Sequence, residues 1–164
     1  MRDRALVRAI LTTALRFRGT IQALIDARLD RSLPANAHAL SHVLHVAAAQ
    51  MLFLDVPDSA AVDLAVTQAK ADPRTARFAA LVNGVLREIG RRKERALPAA
   101  LASTTDAPDW FAERLAAAYG EDHAQLILEA HRLEAPVDLT VKADAKGWAE
   151  RLGGVVLPTG GVRL

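Results

Sequence analysis

The chain has 164 residues, of which 51% are hydrophobic and 4% aromatic, and its formal net charge at pH 7 is +2. This length allows one good core, or one domain with part of another. Because the chain has no cysteine, a disulfide scaffold, a thiolate zinc site and a cysteine nucleophile on these residues are all excluded. The few aromatic residues favour packed helices over a sandwich or barrel.

The N-terminus, MRDRALVRAI, carries three arginines in an amphipathic pattern, which is unlike a signal peptide. No apolar run reaches the roughly 18 residues that a membrane-spanning helix needs. We therefore expect a cytoplasmic protein with no membrane partner.

Apolar residues at helical spacing predict a series of helices in the first half of the chain. The first covers residues 3–17, and its predicted buried stripe is Leu6, Ile10, Leu11, Ala14 and Leu15. Gly19 ends it, and Thr20 is the predicted N-cap of the second helix. A long apolar helix over 37–54 should be the central, mostly buried one. Pro57 then separates it from a helix capped by Asp58 or Ser59.

The segment LVNGVLREIGRR, residues 81–92, predicts a further helix with Asn83 and Gly84 in its middle. Gly costs about 1 kcal/mol relative to Ala in a helix interior. We expect Gly84 to allow the close approach of a neighbouring helix, and the Asn83 amide to bind a loop or a helix end. Both roles, like that of Pro57, are structural.

Composition changes near residue 98, where two prolines and a Ser-Thr-Thr-Asp cluster predict a linker over 98–107. Two helices should follow from Asp106–Pro108 onward, with a break at Gly120. After Pro136, DLTVKAD, GVVLP and VRL predict short strands around a short helix, with turns at the two Gly-Gly pairs. The last thirty residues therefore resemble the opening of an α/β unit that is still incomplete at Leu164, as in a fragment of a longer protein.

Two quoted segments, VAAAQMLFLDVPDSAAVDLAVTQAK and FAALVNGVLREIGRR, resemble the NusB-type helical RNA-binding domain. More narrowly, they resemble the copy at the N-terminus of the RsmB/Sun family of ribosomal RNA (cytosine-C5) methyltransferases, which also continue into a Pro-Asp-Trp segment and a Tyr-Gly-Glu. The resemblance implies a mainly α fold. It has a NusB-like bundle over 1–97, the linker over 98–107, and the N-terminal part of the methyltransferase region over 108–164.

Basic residues crowd one segment after the Asn-Gly pair and another at the start of the chain. They could contact RNA phosphates, with an affinity that depends on salt. The other reading is a solvated helix end whose cations suit the helix dipole, and the resemblance favours RNA contact. The candidate RNA-binding residues are Arg87, Arg91, Arg92, Lys93, Arg95, Arg16 and Arg18.

The resemblance implies an RNA-binding, substrate-orienting fragment of an S-adenosylmethionine-dependent small-subunit ribosomal RNA cytosine-C5 methyltransferase. In that family a cysteine thiolate adds to C6 of the base, and a second cysteine helps to release the product. Both cysteines and the cofactor are expected in a catalytic domain outside these residues, so this chain alone has no catalytic residue and binds no cofactor. Ribosomal RNA and that catalytic domain are the expected partners. The alternatives are a NusB-type transcription antitermination module and a purely structural helical domain.

Two further clusters are interpreted as structural. His38, His42 and His45 share one helical face, but no further ligand accompanies them, so a groove or helix edge is favoured over a metal site. The aromatic residues after the linker, Trp110, Phe111, Tyr119 and Trp148, are expected in the core rather than stacked on RNA bases.

Overall fold

The computed structural model describes residues 2–164, with the side chains from Asp3 onward. Within that range the chain is mainly helical, as predicted, and it divides into two compact units, the first reaching Leu128 and the second covering Glu129–Leu164. The helices of the first half are α1 (Arg2–Arg16), α2 (Arg18–Asp26), α3 (His38–Phe53), α4 (Asp58–Ala71), a 3-10 turn (Ala76–Phe78) and α5 (Ala79–Ser103). The remaining elements are α6 (Asp109–Tyr119), α7 (Glu121–Ala130), β1 (Asp138–Leu139), α8 (Ala145–Leu152), β2 (Val155–Val156) and β3 (Val162–Arg163).

Helix α3 is the centre of the first unit, as its composition predicts, and it contacts α1, α2, α4 and α5. Its buried residues are Leu40, Leu44, Ala47, Ala48, Ala49 and Met51. Three consecutive alanines let neighbouring helices pack closely on several sides of α3. Helix α5 supplies the opposing apolar face with Val82, Val85, Leu86 and Ile89.

The predicted buried stripe of α1 is only partly buried. Ala14 belongs to the core and Ile10 is half-buried, whereas Leu6, Leu11 and Leu15 are exposed. The helix lies against α3 along a narrow line that includes Thr13 and Ala14. Because that line is narrower than the apolar stripe, the rest of the stripe stays in solvent in this structure.

The segment predicted as a linker is helical as far as Ser103, and Pro98 lies inside α5. Proline removes one backbone donor, but Ala100 in the following turn is buried, and its packing favours continuation of the helix. Asp106 then binds back to α2: its Oδ1 accepts from the Thr20 backbone N–H at 2.7 Å, and its Oδ2 accepts from the Thr20 hydroxyl at 3.0 Å. The predicted boundary near residue 98 therefore lies within a helix, and residues 104–106 are anchored to the bundle.

Gly19 lies at this anchored point. A Cβ built on Gly19 would come within 2.4 Å of the Thr105 carbonyl oxygen. Real Cβ atoms do not approach a backbone oxygen this closely, so only glycine fits here. Gly19 was expected to end a helix, but α1 ends at Arg16 and α2 begins at Arg18. Its function is instead to admit the backbone of the segment after α5.

The second unit contains a small antiparallel sheet with the strand order β1-β3-β2, and α8 packs against β2 and β3. The predicted strands therefore pair with one another, where we had expected the opening of a larger sheet. Asp138 lies opposite Arg163 in the register, and Arg163 Nη2 donates to Asp138 Oδ2 at 2.7 Å. This bond lowers the pKa of the Asp138 carboxyl group. The predicted turns at Gly153 and Gly160 both have positive φ, which favours glycine.

The expectation that the late aromatic residues are core residues is wrong for three of the four. Trp110, Tyr119 and Trp148 are exposed, and only Phe111 is half-buried. Trp148 lies beneath the Arg151 guanidinium instead of inside a core. Helix α6, which carries the first three of these residues in chain order, has no buried residue, and α8, which carries Trp148, buries only Ala149.

Candidate nucleic-acid interface

Four exposed arginines lie along the middle of α5. Arg87, Arg91 and Arg95 are spaced four residues apart and so lie along one side of the helix, and Arg92 lies beside them. This side faces solvent because the core residues of α5, such as Leu86 and Ile89, occupy the opposite positions. The structure thus brings together four of the predicted RNA-binding residues in one exposed ridge.

A single carboxylate serves two of these arginines. Glu88 binds the guanidinium groups of both Arg91 and Arg92. Arg87 and Arg95 form no ion pair within the part of the chain that the structure describes. The ridge therefore keeps an excess of positive charge even though the whole chain carries only +2.

Lys93 points away from this ridge into an internal ion pair. Its Nζ lies 2.9 Å from Asp58 Oδ1 at the start of α4, and the two side chains are 31% and 34% exposed. Lys93 therefore pairs with a carboxylate of the same chain. Among the predicted RNA-binding residues, its contact with RNA is the weakest prediction. The sequence gives no sign of this, because Asp58 lies 35 residues earlier.

The α5 ridge borders two surface grooves. The first lies between α3, α4 and α5 and is lined by Met51, Asp58, Ser59, Val62, Arg87, Gly90 and Arg91. The second lies beside the end of α2 and is lined by Arg28, Arg91, Arg92, Arg95, Ala96 and Ala99. Arg91 is common to both. No carboxylate lines the second groove, which makes it the more cationic of the two.

Arg28 is a site residue that the sequence analysis missed. It follows the end of α2, where its Nη1 donates to the Ala27 carbonyl at 3.1 Å. Its Nε is buried and has no hydrogen-bond partner among the described residues. Arg28 is an isolated arginine 63 residues before Arg91, so only the packing of α2 on α5 brings the two together.

Arg16 and Arg18 lie apart from the α5 ridge. They flank Phe17, whose ring stacks on Phe53 with the centroids 4.0 Å apart. Neither arginine lines either of the two grooves on α5. Their predicted contact with RNA stays a prediction, and it concerns a different part of the surface.

His45 is the one member of the histidine cluster that lies partly inside the fold. Its Nδ1 lies 2.9 Å from the Ser41 carbonyl oxygen, and its Nε2 is buried without a partner among the described residues. Burial lowers the pKa of His45, and the nearby charges of Arg18 and His42 act in the same direction. His38 and His42 are exposed. The described residues contain no group of three or more potential metal ligands.

The structural role predicted for Gly84 is wrong. A Cβ built on Gly84 would have no atom within 4 Å among the described residues, so no helix packs closely there. The tight position in α5 is Gly90, where a Cβ would meet Asp58 Oδ2 at 3.0 Å and Met51 Cε at 3.2 Å.

The Asn83 amide, predicted to bind a loop or helix end, makes no hydrogen bond within the described chain. This residue and Gly84 lie on the outward side of α5 because Val82, Val85 and Leu86 take the inward positions.

Pro57 occupies the N-cap position of α4, and its carbonyl accepts from the backbone N–H groups of Ala60 and Ala61 at 3.0 and 3.1 Å. The residue after it, Asp58, begins the helix rather than capping it. Its carboxylate is favourable at a helix N-terminus and is also the partner of Lys93.

The sheet consists of three two-residue antiparallel strands, unlike the open parallel α/β sheets whose strand ends bind nucleotide-type cofactors. No helix in the described range is both long enough and apolar enough to cross a membrane.

A helical bundle that displays an arginine ridge belongs to the class of potential RNA-binding domains. Comparison with known families matches residues 1–91 to the NusB family. The chain therefore belongs to the NusB family, as its sequence motifs indicate.

Three curated relatives share the name ribosomal RNA small subunit methyltransferase B. The protein of Xanthomonas campestris pv. campestris is 34% identical over 140 residues, which cover 85% of this chain and 31% of the relative. The Escherichia coli O157:H7 (strain EC4115) protein is 31% identical over 144 residues, covering 85% and 33%. The Xylella fastidiosa (strain 9a5c) protein is 36% identical over 157 residues, covering 93% and 35%. The chain thus spans about a third of the length of these relatives.

Proposed function

We propose that this chain is the RNA-binding, substrate-orienting part of a small-subunit ribosomal RNA methyltransferase. The observation that carries the proposal is the α5 ridge, in which four arginines are exposed and only two of them, Arg91 and Arg92, pair with Glu88. Such a ridge attracts RNA phosphates and releases counterions when it binds them. Because the exposed aromatic residues do not lie on α5, the ridge would read the shape of a folded RNA rather than stack on its bases.

The extent of the similarity favours this proposal over an antitermination module. The NusB family match ends at residue 91, whereas the methyltransferase relatives match 85% to 93% of the chain. Helices α6 to α8 and the small sheet lie beyond the NusB match. They are accounted for if the chain is part of a methyltransferase.

The chemistry itself would come from residues outside this chain. Transfer of a methyl group from S-adenosylmethionine to cytosine C5 through a cysteine thiolate requires a cysteine, and these residues have none. The role of the chain would be to bind RNA and to hold it in a fixed orientation. Reading the gene past Leu164 tests this part: the proposal expects a cofactor-binding domain with two cysteines, and a stop codon there contradicts it.

RNA binding is tested with the chain itself. Affinity for a fluorescein-labelled hairpin from small-subunit ribosomal RNA should fall steeply between 50 and 200 mM KCl, and a flat response would contradict phosphate contact. Reversing the charge of Arg87, Arg91 and Arg92 to glutamate should abolish measurable binding. The matched control reverses Arg31, Lys70 and Arg77, which changes the net charge equally but leaves the ridge intact. A ridge variant that binds like this control would favour a purely structural domain.

A further inference from the structure

The groove between the end of α2 and the second half of α5 has four arginines and no carboxylate in its lining. We propose that this groove binds phosphate groups of the RNA backbone, and that Arg28 contacts them directly. The inference rests on the proposed function and deepens it, because it assigns the bound phosphates to one side of the ridge and adds Arg28, from the turn after α2.

The charge of the groove is not balanced within the fold. Arg91 and Arg92 share Glu88, while Arg28 and Arg95 form no ion pair in the described part of the chain. Four guanidinium groups therefore face one carboxylate, and that carboxylate does not line the groove. The groove beside Arg87 differs, because Asp58 lines it and reduces its positive potential. The electrostatic potential therefore favours binding of a polyanion in the groove that contains Arg28.

The shape of the groove suits a backbone phosphate. Ala96 and Ala99 line the groove together with the arginines, and the groove has a volume of about 560 Å³. That volume lies within the range of small-molecule binding sites. Arg28 approaches from the turn after α2 and the other three arginines from α5, so a phosphate between them could be held from both sides. Guanidinium groups suit this because they can donate two parallel hydrogen bonds to phosphate oxygens.

Arg28 has hydrogen-bond donors that are available for such a contact. Its Nη1 donates to the Ala27 carbonyl, whereas its buried Nε has no partner among the described residues. A donor without an acceptor is unfavourable in a folded protein. A phosphate oxygen that reached this nitrogen after a rotation of the side chain would satisfy it. The competing explanation is that Arg28 only places a favourable cation at the C-terminal end of α2.

The experiment measures hairpin binding by fluorescence anisotropy at a series of KCl concentrations. The variants are Arg28→Gln, Arg28→Lys and the control Arg77→Gln in the full chain. Arg77 suits as a control because its guanidinium lies over the Phe78 ring, just before α5. At 1.5 Å per residue, the start of α5 is roughly 24 Å from Arg95 along the helix.

Loss of one phosphate contact should reduce the slope of log affinity against log salt by about 1 for Arg28→Gln. The loss of affinity relative to the unaltered chain should therefore be about fourfold larger at 50 mM than at 200 mM KCl. Arg28→Lys should keep the slope and lose affinity, because its ammonium keeps the charge but lacks the planar fork. Arg77→Gln should match the unaltered chain.

Other results overturn the inference in distinguishable ways. If Arg28→Gln keeps the full slope while the charge-reversed ridge fails to bind, the proposed function stands and the groove inference fails. If both variants bind normally, both fail. If Arg28→Gln lowers the unfolding midpoint, and Arg28→Lys restores both the midpoint and full affinity, Arg28 is only a helix-end cation. If inorganic phosphate raises the unfolding midpoint in an Arg28-dependent way without RNA binding, the groove is a small-anion site.

Discussion

The Nζ of Lys93 lies 2.9 Å from Oδ1 of Asp58, so the basic segment of α5 is joined to the first residue of α4. Lys93 and Asp58 would each suit a surface position, but here they form an ion pair, and about a third of each side chain is exposed. The contact lies beside Gly90, where a Cβ would meet Asp58 Oδ2 at 3.0 Å, so a larger residue would require the carboxylate to shift. One basic residue of the cluster thus stabilises the fold, while its neighbours remain available to a ligand.

Replacing Lys93 with Gln should lower stability without altering RNA binding. The ion pair is partly exposed, so its loss should cost about 0.5–1 kcal/mol of unfolding free energy. Urea denaturation measures this cost. Lys70→Gln is the control, since Lys70 is exposed and forms no ion pair in the described chain. A change in the salt dependence of RNA binding for Lys93→Gln would show that the lysine contacts RNA after all.

Replacing Asp106 with Ala should destabilise the first unit strongly. Its two oxygens accept from the Thr20 backbone N–H and hydroxyl, and Thr20 is completely buried. Hydrogen bonds to a charged group contribute about 1.5–3 kcal/mol, and their loss leaves buried donors unsatisfied. We expect a loss of about 2–3 kcal/mol in urea unfolding. Asp63→Ala, on an exposed position of α4, should change stability by less than about 0.5 kcal/mol.

Two glycine-to-alanine changes should act in opposite directions. Gly84→Ala should stabilise the chain by about 1 kcal/mol, because alanine is the better helix former and its Cβ meets nothing within 4 Å in the described chain. Gly19→Ala should destabilise it, because the Cβ would come within 2.4 Å of the Thr105 carbonyl oxygen, which must then move. Thermal unfolding of the pair tests this. A destabilised Gly84→Ala chain would point to a packing partner for Gly84 that this structure does not show.

Stability should depend on pH through His45. Burial lowers the pKa of His45 below its usual value of 6.5, so the unfolded chain binds more protons than the folded one between the two pKa values. Unfolding free energy should therefore fall as pH drops below about 6.5 and level off below the folded pKa. His45→Gln should flatten this dependence in denaturation curves at pH 7.5 and 5.5. His42→Gln is the control, because His42 is exposed. An equal slope in His45→Gln and the unaltered chain would contradict the assignment.

Much of the architecture is determined by local sequence. The core residues of α5 recur at helical spacing and so give a helix with one buried face, whereas the apolar composition of α3 gives a helix that is buried on several sides. Pro57 occupies the N-cap position of α4, where its missing backbone N–H removes no hydrogen bond of the helix. The run of arginines from Arg87 to Arg95 likewise follows from sequence, since helical spacing alone places most of them on one solvent-facing side.

Only the tertiary structure decided which of these residues can act. Lys93 and Arg91 are two residues apart, yet one is bound to Asp58 and the other borders a groove, because successive helical positions face different neighbours. Arg28 joins the α5 arginines through the packing of α2, and Thr20 meets Asp106 across 86 residues of chain. Gly84 and Gly90 look equivalent in sequence, but only Gly90 lies under another helix. Contacts between residues far apart in the chain depend on the shapes of several packed helices together, and no local pattern contains that information.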